Sequence, residues 1–263
     1  MNSIFSLAGK IALVTGGTSG IGYMIAMGLV KHGVKVYVAS RKSDACDKTA
    51  AELSEFGECH GIAADLSTEA GCKKLIQAIS EKEDKVHILV NNAGVTWGAS
   101  LENYPDEAWD KIQNLNVKAA FTMTKNMLPL LTAAGTDDDP ARVINVTSVA
   151  GHLTASMQAY AYGPSKAALN HLTKILAAEL AAKRINVNAI APGVFPSKMT
   201  KFILNDDSLA DQQARSVPLG RVGEPRDMEG LAVFLSSPAA SYITGNVIFL
   251  DGGTSVKPAP FIE

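Results

Sequence analysis

The segment Ile11-Ala12-Leu13-Val14-Thr15-Gly16-Gly17-Thr18-Ser19-Gly20-Ile21-Gly22 carries the strongest structural signal in the chain. Its first half is apolar and rich in strand formers, and an apolar helical pattern follows the glycines. This order predicts a buried strand, a tight turn and the first turn of a helix, where backbone N–H groups face an anion. The segment therefore predicts a phosphate-binding turn.

The three glycines Gly16, Gly20 and Gly22 follow a Gly-x-x-x-Gly-x-Gly spacing, which differs from the commoner Gly-x-Gly-x-x-Gly dinucleotide fingerprint. We expect each to stand where a side chain would block positive φ or the approach of a diphosphate. Glycine-rich turns also occur simply to reverse a chain, so the position between strand and helix carries the interpretation. The predicted cofactor contacts of this turn are Gly16, Thr18, Ser19, Gly20, Ile21 and Gly22.

Composition limits the classes of protein that fit. With 263 residues, 47% of them hydrophobic, the chain can bury a large core as a single α/β domain. A net charge of −2 favours neither nucleic acid nor an acidic membrane as a partner. We expect no signal peptide, no membrane span and a cytoplasmic location. Three cysteines without Cys-x-x-Cys spacing predict reduced structural thiols, and Asp137-Asp138-Asp139 predicts a solvated loop rather than a metal site.

A second strand, predicted over 34–39, ends at Ser40-Arg41-Lys42. A cofactor with a free ribose 2′-hydroxyl usually meets Asp or Glu at this place. A carboxylate would repel a 2′-phosphate, whereas Arg41 can bind it through a charge-assisted fork. The alternative is a basic but purely solvent-exposed loop. The location of the three residues favours NADPH over NADH.

The rest of the chain alternates predicted strands and helices without an internal repeat, which predicts a parallel sheet covered by helices on both faces. We expect one domain over 1–263, with a partly helical substrate lid at 194–220 and a C-terminal tail at 254–263. The further predicted strands are 59–64, 86–90, 142–146, 184–191 and 246–250. The predicted helices are 21–32, 44–56, 106–131, 156–182 and 227–235.

Three polar residues, two at predicted element ends and one inside a predicted helix, admit two interpretations each. Asp65 either accepts hydrogen bonds from an adenine amino group or caps the helix that starts near Ser67. Asn91 either lines the ligand crevice at the carboxyl end of its strand or only ties neighbouring strands together. Asn116 is either a satisfied core amide or marks a local helix break that exposes its carbonyl to a water.

Tyr162 and Lys166 are four residues apart in a predicted helix and so share one face. A nearby ammonium stabilises phenolate and lowers the pKa of a tyrosine, which suits the pair for proton transfer near neutral pH. Pro164 between them predicts that the pair lies near the beginning of its helix. Tyr160 has no lysine at the same offset.

These motifs together resemble the short-chain dehydrogenase/reductase family, over roughly residues 8 to 253. The chain is most similar to 3-oxoacyl-carrier-protein reductases of the rhamnolipid type, through Asn91-Asn92-Ala93-Gly94-Val95-Thr96-Trp97-Gly98 and Pro192-Gly193-Val194-Phe195-Pro196-Ser197-Lys198-Met199. The resemblance implies a Rossmann-type doubly wound parallel sheet. The other matching motifs are Thr15 to Gly22, Asn116, Ser148, Tyr162-x-x-x-Lys166 and Asp251-Gly252-Gly253.

The resemblance also implies roles for individual residues. Tyr162 would protonate the substrate carbonyl, and Lys166 would hold the nicotinamide ribose and lower the pKa of Tyr162. Ser148 would hydrogen-bond the substrate oxygen, and Asn116 would hold a water that relays protons to Lys166. Val194 would reach the nicotinamide carboxamide through its backbone. The remaining implied cofactor contacts are Ser40, Arg41, Lys42, Asp65, Leu66, Asn92, Ala93, Gly94, Pro192, Gly193 and Ser197.

We therefore expect an NADPH-dependent reductase that converts a ketone to a secondary alcohol, acting on a 3-oxoacyl thioester or on a cyclic or aromatic ketone of secondary metabolism. An NAD(P)-dependent alcohol dehydrogenase and a non-catalytic nucleotide sensor on the same fold are the alternatives. The resemblance implies a homotetramer or homodimer. Apolar residues of the lid favour an apolar ligand, and His152, Met157 and Gln158 are expected to contribute to the substrate wall.

Overall fold

The computed structural model describes residues 4–154 and 158–256, and its centre is one sheet of seven parallel strands. The strand order is β3-β2-β1-β4-β5-β6-β7, so the chain reverses direction across the sheet between β1 and β4. The predicted parallel sheet is confirmed. The strands are β1 Ile11–Thr15, β2 Lys35–Ser40, β3 Cys59–Ala63, β4 Ile88–Asn91, β5 Ala141–Val146, β6 Ile185–Pro192 and β7 Val247–Leu250.

Nine α-helices connect and cover the strands of the described chain, and short 3-10 turns complete it. α1, α2 and α9 contribute to the core on one face of the sheet. α3, α5 and α6 contribute to the core on the other. The helices are α1 Gly20–Lys31, α2 Ser43–Ser54, α3 Glu69–Ser80, α4 Asp106–Gln113, α5 Ala119–Ala134, α6 Tyr162–Leu180, α7 Lys201–Leu204, α8 Asp207–Ser216 and α9 Pro225–Ser236.

The two cores explain why β1 is an unbroken apolar run. Ala12 and Val14 point into the core with α1 and α9, whereas Leu13 points into the core with α3 and α5. Side chains of a strand alternate between faces, so a sheet covered on both sides demands apolar residues at every position. All three are completely buried. Because β1 and β4 are neighbours, their carboxyl ends form a crevice at the switch point of the sheet.

Two predicted helices differ from the observed ones. The helix expected over 156–182 begins at Tyr162, so Pro164 lies in its first turn, as predicted. The residues just before it, Tyr160 and Ala161, are in a turn. The helix expected over 106–131 is divided by a π-helical turn, Asn114–Lys118, between α4 and α5. An extra residue per turn shifts the faces of the helix on either side of Asn116.

The segment 194–220 is partly helical, as predicted, and contains α7 and α8. Neither helix has a buried residue. The segment therefore lies on the outside of the domain and is held mainly at its two ends. Most of the predicted tail, 257–263, falls outside the described residues.

The acidic run at 137–139 lies in a loop, as predicted: Asp137 and Asp138 are exposed, and Asp139 is half-buried. Asp139 pairs with Lys10 and Arg142, and the Arg142 side chain is only 1% exposed. A buried cation needs such a partner, so Asp139 neutralises charge inside the fold. Cys46, Cys59 and Cys72 are free and buried, as predicted. Within the described part of the chain, no helix combines the length and apolar character required to span a bilayer.

Candidate active site

The glycine turn between β1 and α1 has the expected geometry. Gly16 and Gly20 have φ of +63° and +56°, in the left-handed region that favours glycine. A Cβ on Gly22 would lie 2.3 Å from the carbonyl oxygen of Gly16 and 2.4 Å from Asn92 Nδ2. Gly22 therefore supports the turn from behind: a side chain there would collide with the turn itself, rather than block positive φ or the approach of a diphosphate as expected.

The N-terminus of α1 lies at this turn and has no side-chain cap. Ser19 is the N-cap residue, and its side chain makes no capping hydrogen bond. The first turn of α1 also has no acidic residue. The positive end of the helix dipole is thus left uncompensated by side chains, which is the condition for binding an anionic ligand.

The ends of β1 and β4 are held together by one hydroxyl. Thr15 Oγ1 donates to the Val90 carbonyl at 3.0 Å and accepts from the backbone N–H groups of Asn92 and Ala93 at 2.9 and 3.1 Å. Asn92 Nδ2 in turn donates to the carbonyls of Thr15 and Gly16. The glycine turn and the Asn92–Gly94 loop therefore form one hydrogen-bonded unit.

A cavity of about 380 Å³ runs along these strand ends. It brings together sixteen of the residues predicted to contact a cofactor. They are Gly16, Thr18, Ser19, Gly20, Ile21, Ser40, Arg41, Lys42, Asp65, Leu66, Asn92, Ala93, Gly94, Tyr162, Lys166 and Ser197.

Four predicted cofactor contacts lie beside this cavity rather than on its wall. Gly22 packs behind the turn. Pro192 ends β6, and the Gly193 N–H donates to the Leu250 carbonyl at 2.9 Å. The Val194 carbonyl accepts from the Gly223 N–H at 2.9 Å, and Val194 lines a separate cavity of about 110 Å³.

Ser40, Arg41 and Lys42 lie where β2 ends, as predicted. The Ser40 hydroxyl is hydrogen-bonded with Cys46 Sγ at 3.2 Å and donates to the Lys42 carbonyl at 3.4 Å. Arg41 is exposed and makes no ion pair among the described residues, so its guanidinium is available to a ligand anion. This cationic end of the cavity has no carboxylate at the β2 terminus.

Asp65 does not cap the following helix. Its Oδ1 accepts hydrogen bonds from the Ser67 N–H at 3.0 Å and the Ser67 hydroxyl at 2.8 Å. These bonds, with a smaller contribution from the charge of Arg41, hold the pKa of Asp65 below its usual range. α3 is instead capped by Thr68, which accepts from the Gly71 N–H. The helix starts two residues later than expected, which removes Asp65 from the cap position.

Asn91 adopts the strand-tying role of its two interpretations. Its Nδ2 donates to Asn145 Oδ1 on β5 at 2.9 Å and to Thr124 Oγ1 on α5 at 3.2 Å. The side chain is buried and does not line the cavity. Asn91 therefore fixes the spacing of β4 and β5 from beneath the site.

Tyr162 and Lys166 lie on the first two turns of α6 and share one face, as predicted. Lys166 Nζ is 5.6 Å from the centre of the Tyr162 ring and donates to the Val146 carbonyl at 2.8 Å. Ser148 Oγ accepts from the Ala150 N–H at 3.1 Å and is hydrogen-bonded with Tyr162. The structure thus brings Ser148, Tyr162 and Lys166 together.

The electrostatics of this group differ from the sequence prediction. Burial raises the pKa of Tyr162, and the hydrogen bond with Ser148 opposes that rise. Burial lowers the pKa of Lys166 to about 8. The expected lowering of the tyrosine pKa by the ammonium is therefore wrong: burial is the largest cause acting on the pKa of Tyr162, and Lys166 is not among the causes.

Asn116, in the π-helical turn, satisfies its whole side chain. Its Oδ1 accepts from the Val95 N–H at 2.8 Å, and its Nδ2 donates to the Val95 carbonyl and to Ser165 Oγ at 3.0 Å each. Ser165 Oγ donates to the Tyr162 carbonyl at 2.7 Å. Asn116 is thus a satisfied core amide within an irregular helix, and it links the loop after β4 to α6.

Sequence reasoning missed several contributors. Val146 supplies the carbonyl that binds Lys166, and Ser165 joins Asn116 to α6. A backbone carbonyl carries no residue-type signal, so Val146 could be found only from its place before Thr147 at a strand end. His152 packs edge-on against Phe249 with ring centres 5.1 Å apart. Met157, expected in the substrate wall, lies outside the described residues.

The sequence matches the family model described as enoyl-(acyl carrier protein) reductase over residues 16–255. It is 52% identical over 253 residues to the rhamnolipids biosynthesis 3-oxoacyl-[acyl-carrier-protein] reductase of Pseudomonas aeruginosa, with 96% of this chain and 99% of that protein covered. It is also 38% identical to a tropinone reductase homologue of Arabidopsis thaliana, with 96% and 95% covered.

Solved structures of similar proteins superpose closely on this chain. An NADP complex of the Pseudomonas aeruginosa protein RhlG superposes with a TM-score of 0.95 at 51% identity, covering 97% of this chain and 100% of that one. A putative 2-deoxy-d-gluconate 3-dehydrogenase of Agrobacterium tumefaciens with bound NADP superposes with a TM-score of 0.86 at 33% identity, covering 97% and 100%.

Proposed function

The chain belongs to the short-chain dehydrogenase/reductase family, and we propose that it reduces 3-oxoacyl thioesters to 3-hydroxyacyl thioesters with NADPH. It is an NADP(H)-dependent reductase: the 52% identical relative is named as a 3-oxoacyl-[acyl-carrier-protein] reductase, and the similar structure of RhlG is an NADP complex. The observation that carries the proposal is the single cavity shared by the Tyr162–Lys166 pair and the cationic Arg41.

The residues around the cavity fit NADPH. The glycine turn leaves no Cβ where the diphosphate would approach the N-terminus of α1. Arg41 offers a fork for the 2′-phosphate, with Ser40 and Lys42 beside it. A Cβ on Gly94 would lie 3.1 Å from Asn116 Oδ1 and 3.6 Å from Lys166 Nζ, so glycine keeps space open beside the lysine. When bound, NADPH supplies the hydride of the reduction.

In this proposal Tyr162 gives the proton that the substrate oxygen needs. Burial raises the pKa of Tyr162, so the phenol is protonated at neutral pH and can act as an acid. Ser148, hydrogen-bonded with Tyr162, offers its hydroxyl to the same substrate oxygen. Two donors placed in advance stabilise the negative charge that develops on that oxygen.

Lys166 supports the proton transfer electrostatically. With a pKa of about 8 it is mostly protonated at neutral pH and favours the phenolate that remains after Tyr162 gives up its proton. Its hydrogen bond with the Val146 carbonyl fixes the ammonium in place. Asn116 holds the loop of Gly94 and Val95 against the same helix, which is consistent with its proposed place in a proton relay.

The substrate class rests on the apolar lid and on the named relatives. Phe202 and Met199, in the segment 194–220, are 63% and 40% exposed, so apolar surface is available for an acyl chain. The 52% identical relative is named as a 3-oxoacyl-carrier-protein reductase. A bulky cyclic ketone is the second candidate, favoured by the likeness to tropinone reductase homologues. A homotetramer or homodimer and a cytoplasmic location are also part of the proposal.

The test is a panel of ketones assayed with the purified protein and both nicotinamide cofactors. We expect NADPH oxidation with 3-oxoacyl thioesters, faster than with NADH and faster than with bicyclic ketones. Turnover of bicyclic ketones alone would favour the second candidate. Oxidation of secondary alcohols with NAD⁺ and no ketone reduction would contradict the proposal. Light scattering of the same sample would give the number of copies.

A further inference from the structure

The loop after β4 contacts the segment that leads into α6, the helix that carries Tyr162 and Lys166. The Ala99 N–H donates to the Gln158 carbonyl at 3.2 Å. The Tyr104 hydroxyl accepts from the Ala161 N–H at 3.4 Å. The rings of Tyr104 and Tyr160 meet edge to face, with centres 5.4 Å apart. Three contacts of different kinds thus join residues 99–104 to residues 158–161.

Residues 158–161 need these contacts to keep their conformation. α6 begins at Tyr162, and its N-cap residue, Ala161, has no side chain that can accept a hydrogen bond from the first turn. Ala161 is completely buried, so its N–H has no access to water. Gln158 has a φ of +49°, a conformation that residues other than glycine seldom adopt. The chain before Tyr162 is therefore shaped by its contacts rather than by its own preferences.

Tyr104 is itself carried by a rigid base. Pro105 follows directly and is the N-cap of α4. α4 contacts α6 and continues into the π-helical turn that holds Asn116. Ile112 of α4 is 1% exposed, so the helix is anchored in the core. The phenol oxygen of Tyr104 therefore reaches Ala161 from a part of the fold that is already fixed.

We propose that Tyr104 is a positioning residue for Tyr162: its hydroxyl holds the N–H of the residue before the catalytic tyrosine. The inference rests on the proposed function of Tyr162 as the acid. A proton donor must be held within a fraction of an ångström of its acceptor, and a small displacement lowers the rate of the chemical step. Tyr104 also connects the loop after β4 to the segment that leads into α6.

The matched variants are Tyr104→Phe and Tyr160→Phe. Each removes one hydroxyl from the same edge-to-face pair and keeps both rings, but only Tyr104 accepts the bond from Ala161. We expect Tyr104→Phe to lower kcat about fivefold, the loss expected for one neutral hydrogen bond, with KM for NADPH unchanged. The isotope effect of NADPH deuterated at the transferred position should rise, because the chemical step slows. Tyr160→Phe should match the wild type.

Hydrogen exchange of the Ala161 amide, followed by NMR without substrate, provides a readout that does not depend on the reaction. The amide should exchange faster in Tyr104→Phe than in Tyr160→Phe or the wild type. Unchanged exchange in Tyr104→Phe would overturn the inference, as would equal losses of kcat in both variants or a loss of kcat without a larger isotope effect. A wild-type protein that reduces no ketone would instead refute the proposed function, and the exchange experiment would still decide whether Tyr104 holds Ala161.

Discussion

The two sides of the cavity are built differently. The cofactor side consists of the ends of β1, β2 and β4, and Leu13, Val14 and Val90 behind it are completely buried. The segment 194–220 contributes only Ser197, Lys198 and Met199 to the cavity wall. The helices that follow them, α7 and α8, bury no residue, and Phe202 of α7 is 63% exposed. The comparison teaches that the sheet fixes the crevice in which we propose that the cofactor binds, whereas the segment 194–220, the proposed substrate lid, can change at little cost to the fold.

The largest expected effect is on kcat, after loss of the proposed proton donor. Tyr162→Phe removes the proposed proton donor and should lower kcat by about a thousandfold, within the range for loss of a general acid. The binding of NADPH, measured by fluorescence titration, should stay close to that of the wild type. A variant that keeps its turnover would show that another group supplies the proton.

The next effect tests the rigidity of the cofactor side. Gly22→Ala places a Cβ 2.3 Å from the Gly16 carbonyl oxygen and should lower the free energy of unfolding by up to about 3 kcal/mol, with weaker binding of NADPH. Gly230→Ala is the control, because a Cβ there meets nothing within 4 Å. In α9 that substitution should stabilise the protein by about 0.5–1 kcal/mol. Equal stability of both variants in urea unfolding would contradict the rigid turn.

A smaller effect concerns the selection between cofactors. Arg41→Asp replaces the proposed partner of the 2′-phosphate with a repelling charge and should raise KM for NADPH by about 10- to 100-fold, with KM for NADH unchanged or lower. Lys82→Asp makes the same change of charge on an exposed residue away from the cavity and is the control. If both substitutions have the same effect on KM, the cation acts only through the net charge of the protein.

The smallest effect is expected on the lid. Phe202→Ser should raise KM for a long-chain 3-oxoacyl thioester about fivefold, because it removes part of the apolar surface offered to the chain. KM for NADPH and the melting temperature should stay at their wild-type values. Phe56→Ser, at a residue that is 53% exposed and lies outside the segment 194–220, is the matched control. A large drop in stability for Phe202→Ser would erase the contrast between the two sides.

A contrast between local and long-range interactions also explains which features could be predicted from the sequence. The strand rhythm, the glycine turn and the position of Pro164 in the first turn of α6 follow from local patterns, and the structure confirms them. These features depend on period, on φ and on the missing N–H of proline, all of which are written in residue type.

Other features depend on partners distant in the chain. The capping of α3 by Thr68 instead of Asp65 followed from where the helix starts, and boundaries are set by tertiary packing. The pKa of Tyr162 depends on burial, which the four-residue offset to Lys166 does not reveal. The ion pair of Asp139 was not predicted, because its partner Arg142 is buried by packing against α9.

The hydroxyl of Thr15 has a consequence for how the two halves of a dinucleotide cooperate. It ties the glycine turn to the loop that carries Asn92 and Ala93, so neither can shift without the other. We therefore expect a ligand fragment that contacts the turn to favour the loop geometry that the second half of the ligand meets. On this basis the intact dinucleotide should bind more tightly than its separated pieces would suggest, with the Thr15 hydroxyl as the link.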